Sequence, residues 1–205
     1  LESNLDELRD LGDAIDNLVT ICSERRPGAS VETEDFDLLD EARIRLARER
    51  AQATRRRVEL RIEGEGELTM RGDREGLLRA LRNLAANAIQ WSPPDSDVEV
   101  LLTGHDDWIE VVVDDAGPGV PPEVREHIFE PFARGPLLDG QRMGYGLGLA
   151  IVRAAVDAQG GEVEIDTSPA GGARFRMRLP RTARSRSGAA GGPSRKGGDP
   201  HRAGD

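Results

Sequence analysis

Between Gly72 and Gly119 the chain passes from a helical to a strand-like hydrophobic period, and this switch restricts the possible folds more than any other feature. Leu77, Leu81, Leu84 and Ala88 recur at spacings of three and four, as on a helix with one buried face, and Asp73 stands where its N-cap is expected. Residues 98–103 and 109–115 then read as two strands joined by Gly104-His105-Asp106-Asp107, which predicts an antiparallel pair ending at Asp115. Upstream, the alanine- and arginine-rich stretch 38–57 reads as a helix, Val58, Leu60 and Ile62 as a strand, and 68–70 as a short strand. Downstream, 147–158 is an apolar helical pattern, and 162–167 with 174–179 form a hairpin. In its last strand Phe175, Met177 and Leu179 alternate with three arginines, as a sheet with one wet face requires. This order of elements predicts an α/β fold: a two-layer α/β sandwich, a mixed sheet covered by helices on one face.

Four short stretches lie on this framework in a fixed order: Asn83-Leu84-Ala85-Ala86-Asn87, Asp115-Ala116-Gly117-Pro118-Gly119, Phe129-Glu130-Pro131-Phe132 and Gly144-Tyr145-Gly146-Leu147-Gly148-Leu149. Asn83 and Asn87 are four apart on the predicted helix, so their amide oxygens emerge on one face, suited to a hard ion such as Mg²⁺ that keeps other oxygen ligands. An aspartate at a strand end can accept a hydrogen bond from the exocyclic amine of adenine, where guanine carries a carbonyl. Gly117 and Gly119 let the backbone turn and approach a flat ring closely. Gly144, Gly146 and Gly148 precede an apolar helix, whose first-turn amides and positive dipole end attract phosphate. Each stretch alone has a plain structural reading: a tight turn, surface amides, core phenylalanines. Their conjunction reads as a pocket for Mg²⁺ and ATP, and the absence of any Gly-x-x-x-x-Gly-Lys stretch excludes a P-loop.

These stretches resemble the nucleotide-binding domain of sensor histidine kinases, in the ATPase superfamily shared with type II topoisomerases, MutL mismatch-repair proteins and a heat-shock chaperone. The resemblance covers about residues 35–180, with the asparagines in the N box, Asp115 in the first glycine box, Phe129–Phe132 as the F box and Gly144–Leu149 as the second glycine box. It implies that Asn87 is the Mg²⁺ ligand, that Asp115 reads adenine, and that Trp91 takes the place of an aromatic beside the base. It further implies that Arg134 approaches the terminal phosphate, that a lid spans about 133–145, and that Gly146, Leu147, Gly148 and Leu149 meet the phosphates. Two departures stand out. Gln90 occupies a position where the family often has a basic residue, a loss that Arg142 in the lid would offset, and Ala173 replaces a common threonine after the last glycine pair.

Residues 3–25 carry Leu5, Leu8, Leu11, Ile15, Leu18, Val19 and Cys22 at helical spacing, an amphipathic helix wanting a partner. Pro27-Gly28 ends it. The expected organisation is therefore a helix over 1–26, a linker over 27–34, the nucleotide-binding domain over 35–180 and a disordered tail over 181–205. By the resemblance the first helix is the second half of a dimerisation and phosphotransfer hairpin, or a docking helix. The net charge is −10, with −14 on residues 1–180 and +4 on the tail, where six basic residues outnumber two aspartates. An acidic body argues against a nucleic-acid partner. A single cysteine and the lack of a long apolar run predict a cytoplasmic segment, whose parent could be membrane-anchored.

None of His105, His127 and His201 stands in the setting of the family's phosphoacceptor. The expected activity is protein-histidine kinase, with the acceptor histidine supplied by a hairpin outside this chain and a response regulator downstream. A homodimer through residues 1–26 is the expected assembly. The alternatives are an anti-sigma-type serine kinase and a non-catalytic module whose lid is ordered by nucleotide.

Overall fold

The structure is a computed structural model that describes residues 32–133 and 146–183. The amphipathic helix over 1–26, with Cys22, therefore lies outside the described residues, as do most of the lid and residues 184–205.

The first described elements are a short strand β1 (Glu34–Asp37) and two helices, α1 (Leu38–Arg45) and α2 (Ala47–Arg55). Asp37 caps α1 by accepting from the amides of Leu39 and Asp40. The sequence predicted one helix over 38–57, but it is divided at Leu46, a fully buried residue, so packing of that side chain outweighs the helix propensity of its neighbours. β1 fell in or beside the expected linker. Phe36 is its only apolar residue, and it is a strand because it pairs antiparallel with β3 (Thr69–Gly72).

β2 (Val58–Glu65) leads through β3 to α3 (Arg74–Trp91), whose first turn is closed by Asp73 accepting from the Gly76 amide at 2.9 Å. β4 (Ser96–Gly104) and β5 (Trp108–Asp114) form the predicted antiparallel hairpin. α4 (Gly148–Gln159) precedes the second hairpin, β6 (Glu162–Thr167) and β7 (Ala173–Pro180). The five-stranded sheet has the order β2-β4-β5-β7-β6, with β2 and β4 parallel and the other pairs antiparallel. It is the mixed sheet the sequence predicted.

One face of this sheet is dry. Val58, Leu60, Ile62, Val98, Val100, Leu102, Ile109, Val111, Val113, Phe175, Met177 and Leu179 are all buried there, with Leu77, Leu78, Leu81 and Leu84 of α3 in the same core. Each such leucine contributes about 2 kcal/mol by leaving water. The opposite face is wet and cross-linked by charge: Arg174 binds Asp114 through two nitrogens at 2.8 and 2.6 Å, Arg176 and Arg178 approach Glu110, and Arg61 lies among Glu59, Asp97 and Glu99.

The described chain continues past the boundary expected at 180. The guanidinium of Arg181 donates to the carbonyls of His105, Thr69 and Glu67, and Thr182 bridges to Arg71. Nearby, Gln159 at the end of α4 is 2% exposed and donates from Nε2 to the carbonyls of Arg71 and Pro180. It ties the helix to the ends of β3 and β7. We expect Gln159→Ala to lower the unfolding free energy by about 2–4 kcal/mol, because it leaves the Pro180 carbonyl unpaired and a void behind it. Urea denaturation followed by far-ultraviolet circular dichroism measures this; a loss below about 0.5 kcal/mol would contradict the assigned role.

Candidate functional site

α3 presents two faces. Leu77, Leu78, Leu81, Leu84, Ala85, Ala88 and Ile89 are buried, whereas Arg79, Arg82, Asn83, Ala86, Asn87, Gln90 and Trp91 form a half-exposed stripe. The two asparagines therefore share a face, as their spacing predicted. Arg79 and Arg82 share it too, so positive charge stands on this stripe although Gln90 is neutral. The amide group of Asn83 faces the start of α4, where a Cβ placed on Gly148 would lie 3.4 Å from Asn83 Oδ1. Asn83 Nδ2 is a buried donor without a partner among the described residues.

The C-terminal end of α3 abuts the first glycine box. Ser92 Oγ accepts from the Ala116 amide at 3.4 Å, and a Cβ on Gly117 would stand 2.9 Å from the Trp91 carbonyl oxygen. Gly119, at φ 72°, packs against the Gly171 and Gly172 carbonyls. Trp91 itself, the last residue of α3, is half-exposed beside this turn.

Asp115 is the one buried carboxylate of the site, 5% exposed. The strand alternation separates it from its neighbour: Asp114 turns to the wet face and binds Arg174, while Asp115 turns toward α3. Its Oδ1 accepts from the Gly117 amide at 2.8 Å and from the Ala173 amide at 2.9 Å. Among the described residues no donor reaches Oδ2. Space around Oδ1 is so tight that a Cβ on Gly172 would lie 2.3 Å from it, which only glycine avoids. Burial raises the Asp115 pKa above its ordinary value, partly opposed by the two amide hydrogen bonds, with the Asp114 charge adding a smaller upward push.

Sequence reasoning missed Ser168, in the turn between β6 and β7. It is 5% exposed; its Oγ donates to the Asp115 carbonyl at 2.6 Å and accepts from the Gly172 amide at 2.9 Å. The turn-forming run Ser168-Pro169-Ala170-Gly171-Gly172 was the only local signal, and it marks a turn without saying what the turn holds.

The F box and the second glycine box meet at their ends. The Phe132 amide donates to the Gly146 carbonyl at 2.8 Å, and Gly146, at φ 70°, passes so close that a Cβ would lie 2.6 Å from the Ala133 carbonyl. Phe129 is buried, edge-on to Phe175 with Arg153 over its ring at 4.8 Å, whereas Phe132 is 64% exposed. Leu147 precedes α4 with its side chain buried, Leu149 packs partly against the core, and Gly148 opens the helix, so their main chains are what this end presents. Arg134, Arg142 and Gly144 lie outside the described residues.

The geometry thus joins three of the four stretches around α3: the first glycine box at its C-terminal end and the second glycine box against Asn83, with Asp115 fixed beside the former. A buried carboxylate with one free oxygen suits an amine donor, and half-exposed amide oxygens suit a hard cation. The raised Asp115 pKa also carries a sign for stability. A carboxyl whose folded pKa lies above its unfolded value adds stability that is complete below the ordinary aspartate range and is lost as pH rises through the raised value. Asp115→Asn retains an acceptor for both amides and removes the buried charge. We expect this variant to be at least as stable as the parent at neutral pH, with the difference closing on acidification; urea midpoints at about pH 7 and pH 4.5 test it, and a variant clearly less stable at pH 7 would refute it.

Comparison with known proteins gives concordant matches. The family model for histidine kinase-, DNA gyrase B- and HSP90-like ATPases matches residues 72–183. The signal transduction histidine-protein kinase/phosphatase MprB of Mycolicibacterium smegmatis is 38% identical over 182 residues, which cover 85% of this chain and 35% of that protein. The chain spans 23–35% of the length of the first three curated relatives it matches. Among solved structures, a mycobacterial sensor histidine kinase MprB has a TM-score of 0.65 at 32% identity, over 75% of this chain and 100% of that one. Full-length ShkA in complex with AMPPNP has a TM-score of 0.70 at 26% identity, over 87% of this chain and 38% of that one.

Proposed function

The chain belongs to the histidine kinase-, DNA gyrase B- and HSP90-like ATPase family, and from that premise we infer that it is the ATP-binding catalytic part of a two-component sensor histidine kinase. It passes the γ-phosphoryl group of ATP to a histidine on a phosphotransfer hairpin, which in turn serves a response regulator. The observation that carries this reading is Asp115: a buried carboxylate with Oδ1 committed to two backbone amides and Oδ2 without a donor among the described residues, beside a glycine-rich bend. The relative ShkA, solved with the adenine nucleotide AMPPNP, supports the choice of ligand.

In this reading Oδ2 of Asp115 accepts from the adenine amine, and Trp91 lies beside the base. Asn87 holds Mg²⁺ through its amide oxygen; the ion, when bound, neutralises charge between the phosphates. Asn83 Nδ2, unpartnered among the described residues, and the amides of Gly146 and Leu147 before α4 and of Gly148 and Leu149 in its first turn are donors for the phosphate oxygens. Arg142 and Gly144 belong to the lid, and Arg134 offsets charge developing on the transferred group. Phosphoryl transfer is chiefly positioning, so a clamp of this kind supplies most of the catalyst.

The acceptor comes from outside the described domain. His105 is stacked on Trp108 with centroids 3.8 Å apart, and His127 is paired with Glu130 at 2.8 Å. Residues 1–26 would dock or dimerise with the hairpin.

Two measurements test the proposal. Titration with a fluorescent ATP analogue should show Mg²⁺-dependent binding that Asn87→Ala weakens at least about tenfold; equal binding by the variant would reject Asn87 as the metal ligand. Incubation of the chain with labelled ATP and a histidine-bearing hairpin should give acid-labile, base-stable label on the hairpin. Acid-stable label would indicate a hydroxyl acceptor instead, and self-labelling of this chain would contradict the placing of its histidines.

A further inference from the structure

Asp115 is held from two sides. Its own turn supplies the Gly117 amide, and the β6–β7 turn supplies the rest: the Ala173 amide to Oδ1 at 2.9 Å, the Ala173 carbonyl to the Asp115 amide at 3.0 Å, and Ser168 Oγ to the Asp115 carbonyl at 2.6 Å. Ser168 also closes its own turn. Its amide donates to the Gly172 carbonyl, its carbonyl accepts from the Gly171 amide, and its hydroxyl accepts from the Gly172 amide, each at 2.9 Å. The hydroxyl therefore uses donor and acceptor together, in a place only 5% exposed.

We propose that Ser168 is the positioning residue for base selection: by locking the β6–β7 turn onto the Asp115 peptide, it fixes which carboxylate oxygen faces the adenine amine. This deepens the reading of Asp115 given above and rests on it. Every hydrogen bond that Ser168 makes among the described residues goes to Asp115, Gly171 or Gly172. None of these hydrogen bonds goes to α3 or α4, so its influence is directed to the base and not to the phosphates.

Two structural details make the carboxylate sensitive to this turn. Gly172 sits where a Cβ would be 2.3 Å from both the Asp115 carbonyl oxygen and Oδ1, so the turn and the carboxylate are in direct contact. The neighbouring Ala173 amide is one of the two donors to Oδ1 among the described residues. Removing the hydroxyl leaves the Gly172 amide without its Ser168 acceptor and the Asp115 carbonyl without its donor, both in a dry place. The turn then reseats or admits water, and the Ala173 donor moves with it.

The test compares ATP with purine riboside triphosphate, which lacks the C6 amine, by calorimetry on the full chain with Mg²⁺ present. The parent should prefer ATP by about tenfold or more, the value of a hydrogen bond to a charged acceptor. Ser168→Ala should weaken ATP about tenfold while changing the amine-free analogue less than about twofold, so that the preference collapses. Ser168→Thr, which keeps the hydroxyl, should retain the preference. If Ser168→Ala does not stay folded, Ser168→Cys, similar in volume and a far weaker donor, carries the same expectation. Equal weakening of both nucleotides, no weakening of either, or the same collapse in Ser168→Thr would overturn the proposal. A parent with no preference, together with unchanged ATP affinity in Asp115→Asn, would instead remove Asp115 as the reader of the base, which is a separate failure.

Discussion

The site depends on one desolvated carboxylate held by the backbone. Asp115 follows β5 and is held by main-chain amides, one from its own turn and one from the start of β7, while the C-terminal end of α3 meets the next residues of the turn, Ala116 and Gly117. An arginine in place of these amides would have lowered its pKa and occupied both oxygens. Amides on Oδ1 alone keep the group in place while leaving Oδ2 for a neutral donor, which is what discrimination between an amine and a carbonyl on a purine requires. Asp114, one residue earlier, has the other arrangement: a two-nitrogen arginine clamp on the wet face that secures the sheet and leaves nothing for a ligand.

That arrangement works against stability, and the rest of the fold offsets it. Burial pushes the Asp115 pKa upward, so ionising this carboxyl costs more in the folded state than in the unfolded chain. The offset is local: the Ser168 hydroxyl, the Gly172 amide and the antiparallel start of β7 close around the aspartate. It is also global, since β5 and β7 are interior strands of the sheet, with α3 packed against β5 and α4 against β7. A residue that is unfavourable where it stands, surrounded by groups with no alternative partner, marks a place where function and folding compete.

Much of this was legible in the sequence, because the elements are set by periodicity and the site by motifs. The N-box helix, both hairpins and the wet arginine face of β7 follow from spacings that depend only on neighbours in the chain. What was not legible depends on partners far away in sequence. β1 is too short and acidic to announce itself and exists by pairing with β3; the break at Leu46 reflects burial of one side chain, and Arg181 belongs to the domain because three carbonyls from two separate loops converge on it. Ser168 was invisible for the same reason, since its partner is Asp115, more than fifty residues away. The shared face of the asparagine pair follows from their spacing, whereas the turn of Asn83 toward Gly148 depends on a helix more than sixty residues away.

The same geometry divides the labour of the site along α3. Its C-terminal end meets the first glycine bend at Ala116 and Gly117, and its middle, at Asn83, faces the start of α4, whose helix polarity favours an anion. Because α3 is one continuous helix of 18 residues with nine of them buried, the two ends cannot shift independently of the core. The F box has the opposite construction: Phe129 is anchored among Phe175 and Arg153, but Phe132 stands 64% exposed at a left-handed turn joined to Gly146 by one hydrogen bond. A helix anchored in the core thus fixes the spacing between the two glycine boxes, whereas the F box is joined to the second of them at one end.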